Sequence, residues 1–280
     1  MNLTWKADDE PILKPITFMG WVRVVLRGGI FALILVLGAM ISFCIQLIER
    51  PLSGGNRPIS PYLTQWVALS FFKILGMRHE VVGESMKHPG AVVANHASWF
   101  DIYTLNARKR IYFVSKSEVA KWPGIGFLAR MVGTVFIARD PKQAKIQQEV
   151  FETRLLSGHK LLFFPEGTSS DGLRVLPFKP TLFQAFFAGN LREKLHIQPV
   201  SVIYNAPEGE DPRLYAWFGD MEFGSHFLSI LATPKHGSVR VVYHSPLKVS
   251  AFSDRKALAK VAETAVRSGM PEERQIGAGG

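Results

Sequence analysis

The sequence predicts an α/β domain, a largely parallel sheet flanked by helices, behind an N-terminal hydrophobic helical segment suited to docking on a membrane. Three observations carry that expectation. From residue 79 to about 268 short apolar runs alternate with helix-length stretches, the pattern of βα units around a buried sheet. Residues 28–48, GGIFALILVLGAMISFCIQLI, contain no charge, and about 20 apolar residues match the depth of a bilayer core. Finally, 33 basic residues exceed 23 acidic ones, giving +10 over 280 residues, while mean hydropathy stays positive at +0.10.

A basic chain suits nucleic acid, an anionic membrane or an acidic partner. The positive hydropathy favours the membrane. No RNP-like, zinc-finger or basic-zipper pattern is present, so no nucleic acid is expected. The single cysteine, Cys44, permits no intramolecular disulfide and no Cys-based zinc cage. A cytoplasmic setting without a metal site follows.

Residues 1–78 read as a membrane-associating helical region. A charged stretch precedes the apolar run and no small-residue cleavage site follows, which argues against a cleaved signal. Lys14, Arg23 and Arg27 lie before the run, and Arg50, Arg57, Lys73 and Arg78 after it. Positive charge on both sides sets no orientation and suits a segment that enters one leaflet and returns, as well as one that crosses. A buried helix of a soluble domain is the other reading. After the breaker-rich PLSGGNRPISP (51–61), YLTQWVALSFFKILGMR (62–78) is apolar on more than one face. It fits an interfacial helix and equally a core helix.

The domain proper is expected over 79–268. AVVAN (91–95), RIYFVS (110–115), TVFIA (134–138), KLLFF (160–164), IQPVSVIY (197–204) and VRVVYH (239–244) read as strands, most buried on both faces because their apolar runs are continuous. Helices are expected at 100–108, 117–132, 141–157 and 179–190, with an amphipathic one at 254–268 and a mobile tail at 269–280.

Chemistry in open α/β sheets gathers at the carboxyl ends of strands. His96 follows AVVAN, Arg139 follows TVFIA and Glu166 follows KLLFF. In NHASWFD (95–101), Ser98 and Asp101 have the spacing of a capping box with Asp for Glu. The same aspartate is placed to fix the tautomer of His96 and leave its other nitrogen basic. FFPEGTSSDG (163–172) reads as a tight turn with a solvated glutamate, or as part of a site. It lacks the second glycine of G-x-S-x-G, which counts against a serine hydrolase. Gly124, Gly126 and Ala129 match G-x-G-x-x-A without a strand in front, so a turn after Pro123 is the better reading. Arg139 is a surface arginine or an anion-binding fork.

The order NHASWFD, VFIAR, FPEGT and the IQPVSV strand resembles the lysophospholipid acyltransferase family, which includes the bacterial 1-acylglycerol-3-phosphate acyltransferases. The resemblance covers roughly residues 80–205, and the N-terminal pair of apolar segments looks like the membrane-docking helices of bacterial members. It implies that His96 is the general base that deprotonates an acceptor hydroxyl, that Asp101 orients it, and that no metal or cofactor takes part. It further implies acceptor binding by Glu166, Gly167 and Thr168, head-group binding by Arg139, and a supporting role for Lys179. Acyl carrier protein is the expected donor, acyl-CoA the other, and a lysolipid at an anionic membrane the acceptor. The setting implied is the inner membrane with the catalytic domain facing the cytoplasm. Glycerol-phosphate members usually read FPEGTR, whereas this chain has Ser169, and a hydroxyl cannot replace a bidentate phosphate contact. The variant looks like the branch that acylates lyso-ornithine lipid; 1-acyl-sn-glycerol-3-phosphate is the alternative acceptor. Rivals of other kinds are a lipid hydrolase and a non-catalytic membrane-binding protein.

Overall fold

The computed structural model describes residues 4–7, 9–53, 56–137, 144–188 and 191–275, with only the backbone described at 144–148. Two helices come first, α1 (Phe18–Ser53) and α2 (Ser60–Leu75). Pro51 is tolerated in the last turn of α1, and Gly76 ends α2 in a left-handed C-cap. The domain then runs β1 (Arg78–Val82), β2 (Gly90–Ala94), α3 (Asp101–Asn106), β3 (Tyr112–Lys116), α4 (Ile125–Met131), β4 (Val135–Ile137) and α5 (Ala144–Leu156). It continues with β5 (Leu161–Phe163), α6 (Leu191–Lys194), β6 (His196–Asn205), α7 (Phe223–Ala232), β7 (Ser238–Tyr243), β8 (Leu247–Lys248) and α8 (Arg255–Ser268).

One eight-stranded sheet orders them β1-β7-β6-β2-β5-β3-β4, with β8 on β6. Five of the seven described pairings are parallel. Strand β2 lies between β5 and β6, and every residue in it is buried, as a strand covered by helices on both faces must be. Its entry depends on Gly90, at φ 145°, where a Cβ would stand 1.8 Å from the His196 carbonyl oxygen. Because β2 and β5 are parallel neighbours, the chain leaves both at the same sheet edge. His96 and Glu166 are thereby delivered side by side.

The N-terminal helices share the domain's core. Phe31, Phe71 and Phe72 join Trp99, Phe100 and Tyr204 in one buried cluster, and the Phe31–Phe71 ring centres lie 4.5 Å apart. Helix α1 lies along the domain. Arg23 donates to the Ala232 carbonyl (2.8 Å), and Gln46 donates to the Met131 carbonyl (3.1 Å). At 1.5 Å per residue those contacts are about 35 Å apart. The buried stripe is partly polar, with Ser42, Gln46 and Glu49 inside. The apolar residues Ile30, Leu33, Val36, Met40, Phe43 and Leu47 face outward. Only 22% of the most apolar window of α1 is buried, so its hydrophobic surface is not used up by the protein.

Several expectations need correction. The helix expected over 117–132 is two pieces, a 3-10 turn at Ser117–Lys121 and α4, because the Pro123-Gly124 turn, with Gly124 at φ 71°, breaks it. Residues Pro180–Phe187 form a 3-10 helix, shorter than the one expected. Strand β1 and helix α7 were not anticipated. The stretch after α8 is docked as far as Gln275: Met270 is buried and Arg274 donates to the Tyr204 carbonyl (2.9 Å). Arg139, and with it the end of the TVFIA strand, lies outside the described residues.

Candidate active site

The site begins where β2 ends. Asn95 extends the sheet through its side chain. Its amide donates to the Val202 carbonyl (2.9 Å) and accepts from the Val202 N–H (2.8 Å) on β6. This leaves His96 just beyond the sheet edge. His96 Nδ1 lies 2.7 Å from Asp101 Oδ2. An ionised carboxylate only accepts, so Nδ1 carries the hydrogen and Nε2 the lone pair. Phe164 stacks on the imidazole at 3.9 Å and 11°, fixing the ring plane.

Asp101 is completely buried and all its bonds come from donors. Oδ2 also accepts from the N–H groups of Ala97 (2.9 Å) and Ser98 (3.1 Å), while Oδ1 accepts from the Tyr204 hydroxyl (2.7 Å). The Thr104 hydroxyl stands 2.8 Å from that tyrosine oxygen. Half of the expected capping box therefore exists: the aspartate satisfies backbone N–H groups at the start of α3. The other half does not, since Ser98 Oγ is buried without a partner among the described residues. Tyr204 was missed by the sequence reading. It sits at the end of IQPVSVIY, and only the adjacency of β2 and β6 brings it here.

The loop after β5 is stitched to the first. Glu166 Oε1 accepts from the His96 backbone N–H (3.1 Å), and Ser170 N–H donates to the His96 carbonyl (2.8 Å). Glu166 is 1% exposed, and its bond ties the loop after β5 to the one that carries His96. Gly167 adopts φ 71°, a left-handed conformation that favours glycine; a Cβ there would lie 2.8 Å from the mobile end of Lys179, which could shift aside. Lys179 is exposed and its N–H donates to the Pro165 carbonyl (2.9 Å). Thr168 Oγ1 accepts from the Trp5 N–H (3.2 Å). Ser169 is partly exposed beside it. Among the expected residues, His96, Asp101 and Glu166 are in direct contact, with Gly167, Thr168, Ser169 and Lys179 on the adjoining turn.

Burial pushes the Glu166 carboxyl well above the ordinary carboxylate range, and the Asp101 charge adds to this; N–H groups of His96 and Leu176 pull the other way. The folded state thus binds this proton more tightly than the unfolded chain. Its contribution to stability is complete below the ordinary carboxyl pKa, about 4.3, and is lost as pH rises towards the folded value. Glu166→Gln is neutral at every pH. Thermal melts should show variant and wild type alike at about pH 4 and the variant gaining on wild type as the pH rises above that.

The arrangement offers an oriented imidazole base with a buried counter-charge and a partly exposed polar turn next to it, the equipment for removing a proton from a weak nucleophile. Known proteins resemble this chain in sequence and in fold. Residues 78–203 match the family model "Acyltransferase". The lyso-ornithine lipid O-acyltransferase of Rhodobacter capsulatus is 55% identical over 266 residues, covering 95% of this chain and 96% of its own. The protein of the same name from Brucella abortus is 34% identical, covering 86% of this chain and 94% of its own. Among solved structures, the 1-acyl-sn-glycerophosphate (LPA) acyltransferase of Thermotoga maritima superposes with a TM-score of 0.61 at 21% identity, over 89% of this chain and 95% of that one, a likeness of fold.

Proposed function

The chain belongs to the Acyltransferase family, and from that premise we propose that it transfers a fatty acyl group from a thioester to the hydroxyl of a lysolipid, lyso-ornithine lipid being the acceptor. The observation that carries the chemistry is the His96–Asp101 pair at the edge of β2. His96 Nε2 takes the proton as the hydroxyl oxygen attacks the thioester carbonyl. The C–S bond then breaks, and the imidazolium returns the proton to the departing thiolate. Asp101 keeps the tautomer and stabilises the imidazolium. The relatives' name and Ser169 in place of the phosphate-binding arginine support the acceptor. Acyl carrier protein, an acidic donor, suits the surplus of basic residues.

Helix α1 is read as lying in the membrane plane. It is docked along the domain for about 35 Å, more than the roughly 30 Å of a hydrocarbon core, so it could not cross without drawing the polar domain in. Its outer stripe enters one leaflet, on the cytoplasmic side of the inner membrane.

The purified protein, given acyl-carrier-protein and acyl-CoA thioesters in separate assays, should acylate lyso-ornithine lipid and use lysophosphatidate poorly; transfer to lysophosphatidate alone would overturn the acceptor. In the same assay Ser169→Arg should improve use of the phosphate-bearing acceptor. Asp101→Asn tests the pair. The amide oxygen can accept from His96, Ala97 and Ser98, and its NH2 can donate to Tyr204, so the fold survives and only the charge is lost. A hydrogen bond to a charged group contributes about 1.5–3 kcal/mol, which sets the expected fall in kcat at roughly 10- to 100-fold. A kcat at the wild-type level would show that the charge on Asp101 has no part in the reaction.

A further inference from the structure

A cleft of about 560 Å3 opens beside the loop that carries Thr168 and Ser169. Six charged side chains line it: Lys6, Arg174 and Arg213, against Asp9, Asp171 and Asp211. Three of each sign leave the cleft electrically balanced, although the whole chain carries +10. The charges are held in pairs. Asp171, 3% exposed, accepts from Leu173 N–H (3.0 Å) and from Arg174 Nε (3.1 Å). Arg213 forks onto Asp211 at 3.1 and 3.0 Å and reaches Asp9 at 3.1 Å. Lys6 bridges to Asp220.

The N-terminal strap forms one wall. The Trp5 ring packs on Phe218 with centres 5.3 Å apart and carries the Arg174 guanidinium 5.5 Å from its centre, while the Trp5 backbone N–H donates to Thr168 Oγ1. The cleft adjoins the base. Ser170, next to Asp171, donates its N–H to the His96 carbonyl, and a Cβ on Gly172 would touch the Ala97 Cβ at 3.3 Å.

We propose that this cleft binds the head group of the acceptor as a zwitterion, a carboxylate and a primary ammonium on one short chain, an inference that rests on the lysolipid reading above. Arg174 and Arg213 receive the carboxylate, and the aspartates the ammonium. A zwitterion entering a paired cleft exchanges each internal ion pair for an equivalent one, leaving no buried charge uncompensated. A dianionic phosphate would occupy the cations but bring no ammonium to face the three carboxylates, which disfavours it against a zwitterion. In a 3-hydroxyacyl amide of an amino acid, the hydroxyl lies a few bonds from the carboxylate. A head group seated here therefore keeps the hydroxyl within reach of His96.

Steady-state kinetics on the full chain test this with lyso-ornithine lipid and with an analogue whose carboxylate is esterified and whose amine is acetylated. Wild type should show a KM about tenfold lower for the zwitterion. Arg174→Gln and Asp211→Asn should each raise that KM about tenfold, hold kcat within about twofold and leave the capped acceptor unaffected. The capped acceptor also reports folding, so a variant that loses both substrates alike counts against the cleft. Efficient wild-type transfer to lyso-ornithine lipid with unchanged KM in both variants overturns the cleft alone. No wild-type transfer to that lipid overturns the acceptor reading and the cleft together.

Discussion

His96→Ala should lower kcat/KM for acyl transfer by about a hundred- to ten-thousandfold, the usual worth of a positioned general base, with membrane binding and thermal stability close to wild type. An alcohol is a poor nucleophile at neutral pH, and Nε2 is the one lone pair that the Asp101 bond orients. The side chain is 23% exposed and its polar bond among the described residues is to Asp101. Removing it opens a surface hollow over Phe164, whereas Asp101 keeps its bonds from Ala97, Ser98 and Tyr204. The measurement is initial rates with lyso-ornithine lipid across thioester concentrations, beside vesicle flotation of the same preparation. Unaltered rates would remove His96 from the chemistry and favour a binding protein.

The second large effect concerns the membrane. Leu33, Met40 and Leu47 recur every seven residues on α1 and are 59%, 60% and 62% exposed. Burying such a side chain contributes about 1.5–3 kcal/mol at full burial, so replacing all three with glutamate should weaken binding to vesicles rich in anionic lipid by at least about a hundredfold. Carboxylates facing an anionic surface add repulsion. None of the three belongs to the buried stripe, so far-UV circular dichroism and transfer to a detergent-dispersed acceptor should be retained. Undiminished flotation would place the membrane contact elsewhere on the protein.

The strands that build the site were legible because they are buried on both faces: GAVVA and LLF read as unbroken apolar runs, and HIQPVSVIY stays largely apolar despite Gln198 and Ser201. RHEVV was not, since β1 is half-exposed and polar at its start. Helix α7 was hidden for another reason. FGSHFLSILA carries no charge and is covered partly by α1, so no amphipathic period marks it. His96 and Asp101 could be paired from local spacing. Tyr204, 103 positions from Asp101, and the strap residue Trp5, 163 positions from Thr168, could not. Those contacts depend on which strands are neighbours and on how the first residues cross the domain. Ser98 was misread because its backbone N–H, and not its hydroxyl, takes part in the turn.

The proposed sharing of α1 between protein and lipid has a consequence for the order of synthesis. The helix ends at Ser53, and α7, whose last carbonyls receive Arg23 and Arg27, begins at Phe223. At about 5–20 residues per second, some ten to thirty seconds of translation separate them. Throughout that interval the outer face of α1 has no protein to cover it and its inner arginines have no acceptors. With α1 placed in one leaflet as proposed, the ribosome presents the lipid-facing element long before the scaffold that receives it, and a bilayer can shelter it in the meantime. On that placement, anchoring precedes assembly.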